Sequence, residues 1–141
     1  MSIPAADGRR PEGVDDTTVE AVGRLTEALE TTERARGHLF SFHQLTGGAD
    51  GQVADAARLL REAGHTELAE RLEAELVGHN VVPGRWTFQL VEEYDEGYYQ
   101  LFRDWERKVR DELLGGVRHV FESEMKQRNT TDGRSGHEMN P

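Results

Sequence analysis

Two histidines and one aspartate occupy positions that helical spacing otherwise gives to apolar residues. His43 completes a run of Val22, Leu25, Leu29, Thr32, Arg36 and Leu39 at alternating steps of three and four. His79 follows Leu68, Leu72 and Leu76, and Asp95 lies beside Val91, Tyr98 and Phe102. Two neutral imidazoles and a carboxylate make the donor set of a mononuclear metal centre with open positions. A single divalent metal on His43, His79 and Asp95 is therefore one chemical reading. The competing and commoner reading puts both histidines at helix ends, where a protonated imidazole meets the negative end of the helix dipole. Asp95 then accepts a tyrosine hydroxyl or pairs with arginine, and no cofactor is expected.

Tyr94, Tyr98 and Tyr99 form a second candidate group. They could line a slot between helices, their hydroxyls orienting a polar ligand. The same stripe also reads as core, with Tyr98 and Trp105 as its anchors and Tyr99 as the aromatic left outside. Phe40, Phe42, Trp86 and Phe88 supply the remaining bulk for packing. Arg36, on the seam of the first helix, needs a carboxylate such as Glu112 if buried. At the seam's edge its head reaches water instead, and this is the favoured placement.

Sequence motifs of established chemistry are missing. There is no phosphate-binding loop, dinucleotide fingerprint, zinc-protease pair, nucleophile elbow or calcium loop. Glu62-Ala63-Gly64-His65 has the letters of a di-iron Glu-x-x-His motif. No second copy accompanies it, as a bundle di-iron site would require. The absence of cysteine removes thiol, disulfide and iron–sulfur chemistry.

The elements that must position these residues are all helical. Thr17 and Glu20 form a capping-box pattern that starts a first helix, expected to end at Gly47-Gly48. Asp50 then caps a short second helix carrying Val53, Ala56, Ala57, Leu60 and Ala63 on one face. Gly64-His65 stops it, and Thr66 caps a third short helix that ends before Pro83-Gly84. From about Arg85, the residues Val91, Tyr94, Tyr98, Leu101, Phe102, Trp105, Val109 and Leu113 share one side of a long helix. Gly115-Gly116 either kinks this helix or ends it. The expected fold is an all-α small bundle, with two long helices and a short helical hairpin between them.

Composition sets the frame. The chain of 141 residues has a formal charge of −10 and 35% hydrophobic residues, enough for one modest core. Residues 1–16 and 129–141 are polar and rich in Gly, Pro, Asp and Arg, so both ends read as disordered around a domain at 17–128. Acidic charge argues against a nucleic-acid partner. No apolar stretch approaches the roughly 18 residues of a membrane span, and the N-terminus has no apolar run suited to secretion, so the chain reads as cytoplasmic by default. The leading functional expectation is a non-enzymatic module that self-associates as a dimer or docks on a protein partner. Val22, Leu25, Leu29 and Leu39 are its candidate interface. The alternative is a small-ligand or metal-binding bundle built on the histidines, Asp95 and the tyrosines.

Overall fold

A computed structural model describes residues 8–140. The chain is all-α, and two of its helical runs are long. Helix α1 spans Asp16–Glu62, α2 Thr66–Glu75, α3 Thr87–Tyr94, α4 Gln100–Leu114 and α5 Val120–Asn129. A π-helical turn at Asp95–Tyr99 joins α3 and α4 into one rod of 28 residues. Among the described residues, no helix is long and apolar enough to cross a membrane.

Helix α1 corrects the expected break. It passes through Gly47, Gly48 and Gly51 without interruption and runs for 47 residues. Each interior glycine costs about 1 kcal/mol relative to alanine, which weakens a helix without forbidding it. Continuity is favoured by phase. The three–four spacing that begins at Val22 extends through His43, Thr46 and Asp50 to Val53, Ala57 and Leu60. Asp50 is not a helix cap. Its carboxylate accepts the Gly78 N–H at 2.7 Å, tying α1 to the connection that follows α2. At the start of α1, Asp15 rather than Thr17 does the capping, accepting the Thr18 N–H at 2.8 Å.

The chain divides into two units, residues 1–32 with 100–141 and residues 33–99. In the first, Val19, Val22, Leu114 and Val120 form the core, with Val14, Val109, Val117 and Phe121 packed against it. Gly23 allows α1 and α5 to approach closely, since a Cβ there would lie 2.7 Å from the Phe121 side chain. Helix α4 ends at Gly115 and Gly116, both at positive φ, so the glycine pair breaks the helix. Within this core Glu106 is buried, and its carboxylate accepts Arg110 Nε at 3.1 Å and the Thr26 hydroxyl at 3.1 Å. Arg110 also donates to the Gly116 carbonyl at 3.1 Å, so one side chain serves both the buried charge and the helix end.

Part of the expected disordered lead, residues 1–7, lies outside the described residues, as does Pro141. Residues 8–15 make specific contacts. The Gly8 N–H donates to the Arg118 carbonyl at 2.9 Å, and Arg10 bridges Asp16 and Glu124 at 2.6 and 2.8 Å.

The second unit holds the turns read from the sequence. Gly64, at φ +91°, reverses the chain between α1 and α2, and Val82 and Arg85 form a bridge around Pro83-Gly84. Its buried apolar residues are Ala57, Ala69 and Val91.

The rod Thr87–Leu114 buries the expected stripe only in part: Val91 is buried and Tyr94, Phe102 and Val109 are half-buried. Tyr98, Leu101 and Trp105 are 58, 57 and 53% exposed. Asp95, Tyr99, Glu106, Arg110 and Leu114, outside that stripe, are less exposed than these three. A π-turn adds one residue to a helical turn. The inward side after it therefore extends to residues one position later, such as Glu106 and Leu114, and Tyr98 and Trp105 are not core anchors. Accordingly, Leu114→Ala should lower unfolding stability by about 2–5 kcal/mol, the usual result for a fully buried leucine. Trp105→Ala should change it by less than about 1 kcal/mol. Urea denaturation of the two variants checks this, and the reverse ranking would return Trp105 to the core.

Candidate functional site

The three residues of the candidate metal centre have separate surroundings. His43 is not at a helix end, because α1 continues 19 residues beyond it. Its Nδ1 lies 2.7 Å from the Thr87 hydroxyl, and its ring meets Phe40 and Phe88 edge-on at 6.1 and 6.5 Å between centroids. His79 is exposed just beyond α2, its N–H bonded to the Leu76 carbonyl at 3.0 Å. Asp95 is taken by Arg36, whose Nε and Nη2 donate to its two oxygens at 2.5 and 3.0 Å. Among the described residues, no group of three or more His, Asp or Glu side chains is arranged to hold a metal ion.

Arg36 is therefore neither a free seam-edge residue nor the partner of Glu112. Its fork matches the Asp95 carboxylate in the bidentate geometry that makes such pairs strong. The guanidinium carbon also lies 5.9 Å from the centroid of the Tyr99 ring. Tyr99 donates its hydroxyl to Glu33 Oε1 at 3.2 Å and stacks on Tyr94 at 6.0 Å between centroids. These contacts bracket the π-turn, with Asp95 at its first residue and Tyr99 at its last. Tyr99 is half-buried, while Tyr98 is the exposed tyrosine, the reverse of the sequence expectation. The extra residue of the turn accounts for the exchange. Tyr94 thus stacks on Tyr99 and meets Tyr98 at a tilt of 44°, which gathers the three rings at a helix irregularity. Hydrogen bonding from Arg36 holds the Asp95 carboxyl below the usual carboxylate range, with the guanidinium charge adding to the effect against partial burial.

The seam residues face inward. Val22 lies in the core of the first unit, and Leu25, Leu29 and Leu39 are half-buried. Core packing thus already occupies Val22, so it is not free surface for a partner.

What the second unit does present is a connected series of rings. Phe40 contacts His43, His43 contacts Phe88, and Phe88 contacts Trp86 at 5.1 Å between centroids. Phe40, Phe88 and Trp86 are 41, 39 and 64% exposed. Sequence reasoning assigned these rings to the core because of their bulk. The signal against it is position: Phe40 and Phe42 both fall off the seam register held by Leu39 and His43. Beside Trp86 is a pocket of about 210 Å³ lined by Asn80, Gly84, Arg85, Trp86 and Gln89. That is smaller than the roughly 300–1,000 Å³ of typical small-molecule sites.

No family model matches the chain, and neither a curated protein nor a solved structure matches it.

The Arg36–Asp95 pair has a pH signature. A depressed folded-state pKa contributes stability above the unfolded-state value, and this is lost as pH falls through the folded value. In a carbon-detected NMR titration, Asp95 should protonate below the ordinary aspartate range. Arg36→Gln should raise its midpoint and make acid unfolding begin at higher pH. An unchanged Asp95 midpoint in Arg36→Gln would show that the pair does not form in solution.

Proposed function

We propose that this protein is a self-associating helical module, whose assembly covers aromatic and aliphatic surface that a single chain leaves in water. One observation carries the reading. Among the described residues seven apolar side chains are buried, while fifteen large ones are exposed, both tryptophans among them. Scattered exposed leucines are normal on protein surfaces. A joined series of rings is different, because contiguous apolar area marks interaction sites. The small internal core gives the chain a reason to gain buried area by pairing, since each Å² of apolar surface removed from water contributes about 25 cal/mol.

The partner expected is a second copy. Sedimentation equilibrium at tens of micromolar should show a mass near twice the 15.9 kDa of the chain, with dissociation on dilution. A single species at 15.9 kDa across the whole concentration range would overturn the reading.

A further inference from the structure

We infer that the second unit carries a hinged arm. Residues 52–77 swing as one helical hairpin about two glycine-bearing segments, 47–51 within α1 and 78–84 after α2, and the Asp50–Gly78 hydrogen bond latches the arm closed. Gly47, Gly48 and Gly51 put three glycines into five consecutive residues of a continuous helix, and all five residues are exposed. Packing requires none of the three, since a Cβ at each would meet nothing within 4 Å. In a helix interior each glycine lowers the helix–coil equilibrium constant about fivefold relative to alanine, and the three together about a hundredfold. Just before them the Thr46 hydroxyl donates back to the Phe42 and His43 carbonyls at 2.9 and 3.0 Å, a pairing that weakens and bends helices. The other glycines of α1, Gly23 and Gly37, stand singly. Helix α1 is therefore weakest at 47–51.

Beyond these glycines the chain forms a hairpin with its own contacts. Gly64 turns α1 into α2, and Ala57 and Ala69, one on each helix, are buried. Arg61 reaches across the turn to Glu73 at 2.7 Å and to Glu70 at 3.9 Å. With Arg58–Glu62 included, every ion pair that residues 52–77 make among the described residues stays inside the hairpin. The return strand has glycines of its own, Gly78 and Gly84, at φ +73° and +77°. A self-contained body between short flexible segments is the form that hinge motion takes. The two segments that must flex are tied directly to each other, because the Asp50 carboxylate accepts the Gly78 N–H at 2.7 Å. Asp50 also lessens the cost of opening. When α1 parts at Gly47-Gly48, Asp50 stands at the N-cap of the portion that continues, a position where aspartate is among the preferred residues. One carboxylate thus serves the closed arm and the open arm in turn.

The test uses the full chain. In amide hydrogen exchange followed by NMR, the amides of residues 48–53 should exchange at least tenfold faster than those of 38–45 and 57–62 in the same helix. Replacing all three glycines, Gly47→Ala, Gly48→Ala and Gly51→Ala, should slow them by about a hundredfold. Asp50→Ser keeps the capping ability but stops one bond short of the carboxylate oxygen, so it should release the latch and speed exchange at least threefold. Asp50→Asn keeps an acceptor for the Gly78 N–H and should retain the wild-type rate. The chain contains no cysteine, so spin labels placed through Ser41→Cys and Glu67→Cys, both exposed positions, report the swing. Dilution into unlabelled chain restricts the measured distances to one copy. The distance distribution should narrow with the three alanines and broaden with Asp50→Ser. Amides of 48–53 that exchange as slowly as the rest of α1 overturn the hinge. Exchange of all of 52–77 at the rate of 48–53 shows a hairpin that unfolds instead of swinging, and overturns the arm. An Asp50→Ser rate equal to wild type overturns the latch, and one narrow distance distribution shared by all the variants overturns the swing.

Discussion

The extra residue at Asp95–Tyr99 determines which side chains the long rod keeps and which it exposes. A regular helix would put Tyr98, Leu101 and Trp105 on the same side as Val91. After the π-turn that side belongs to Tyr99, Phe102, Glu106 and Leu114. Such a turn is a rare departure from the regular helix, and here side chains hold it in place. Here they do so at both ends, through the Arg36 fork on Asp95 and through the Tyr99 ring between Tyr94 and Arg36. A charged residue on an apolar seam, which in isolation looks like an error of patterning, is the partner that the irregular turn requires.

Two consequences follow for the distribution of apolar surface. Shifting the phase places a glutamate, Glu106, where an apolar residue would otherwise sit, so the first unit needs Arg110 and Thr26 to satisfy it. A buried carboxylate whose partners are in place is tolerable; one left without them is strongly unfavourable. The shift also leaves Tyr98, Leu101 and Trp105 exposed, adding to the rings already outside on the second unit. On a chain of −10, charge repulsion opposes indiscriminate association of that apolar area.

Much of the architecture was legible in the residues alone. The three–four spacing from Val22 identifies a long helix and its inward face, and Gly64-His65 and Pro83-Gly84 mark the turns that the structure contains. These are local signals, depending on spacing and backbone freedom over a few residues, and they hold whatever the surroundings. Even the continuity of α1 across Gly47-Gly48 was present in the phase shared by His43, Thr46, Val53 and Leu60. Two weak glycines obscured it, because propensity argues for a stop where periodicity argues for continuation.

What only the tertiary structure decided involves partners far apart in sequence. Arg36 finds Asp95 rather than Glu112, and His43 finds Thr87. Asp50 serves Gly78 instead of a helix start. In each case a polar group had several chemically acceptable partners, and spacing along the chain does not rank them. The same holds for the π-turn. One inserted residue costs little locally and leaves no mark in composition, yet it rotates every later side chain by about 100°, one residue's advance on a helix of 3.6 residues per turn. The choice is made by which contacts close around Asp95 and Tyr99, and those contacts exist only once α1 and the rod are packed together.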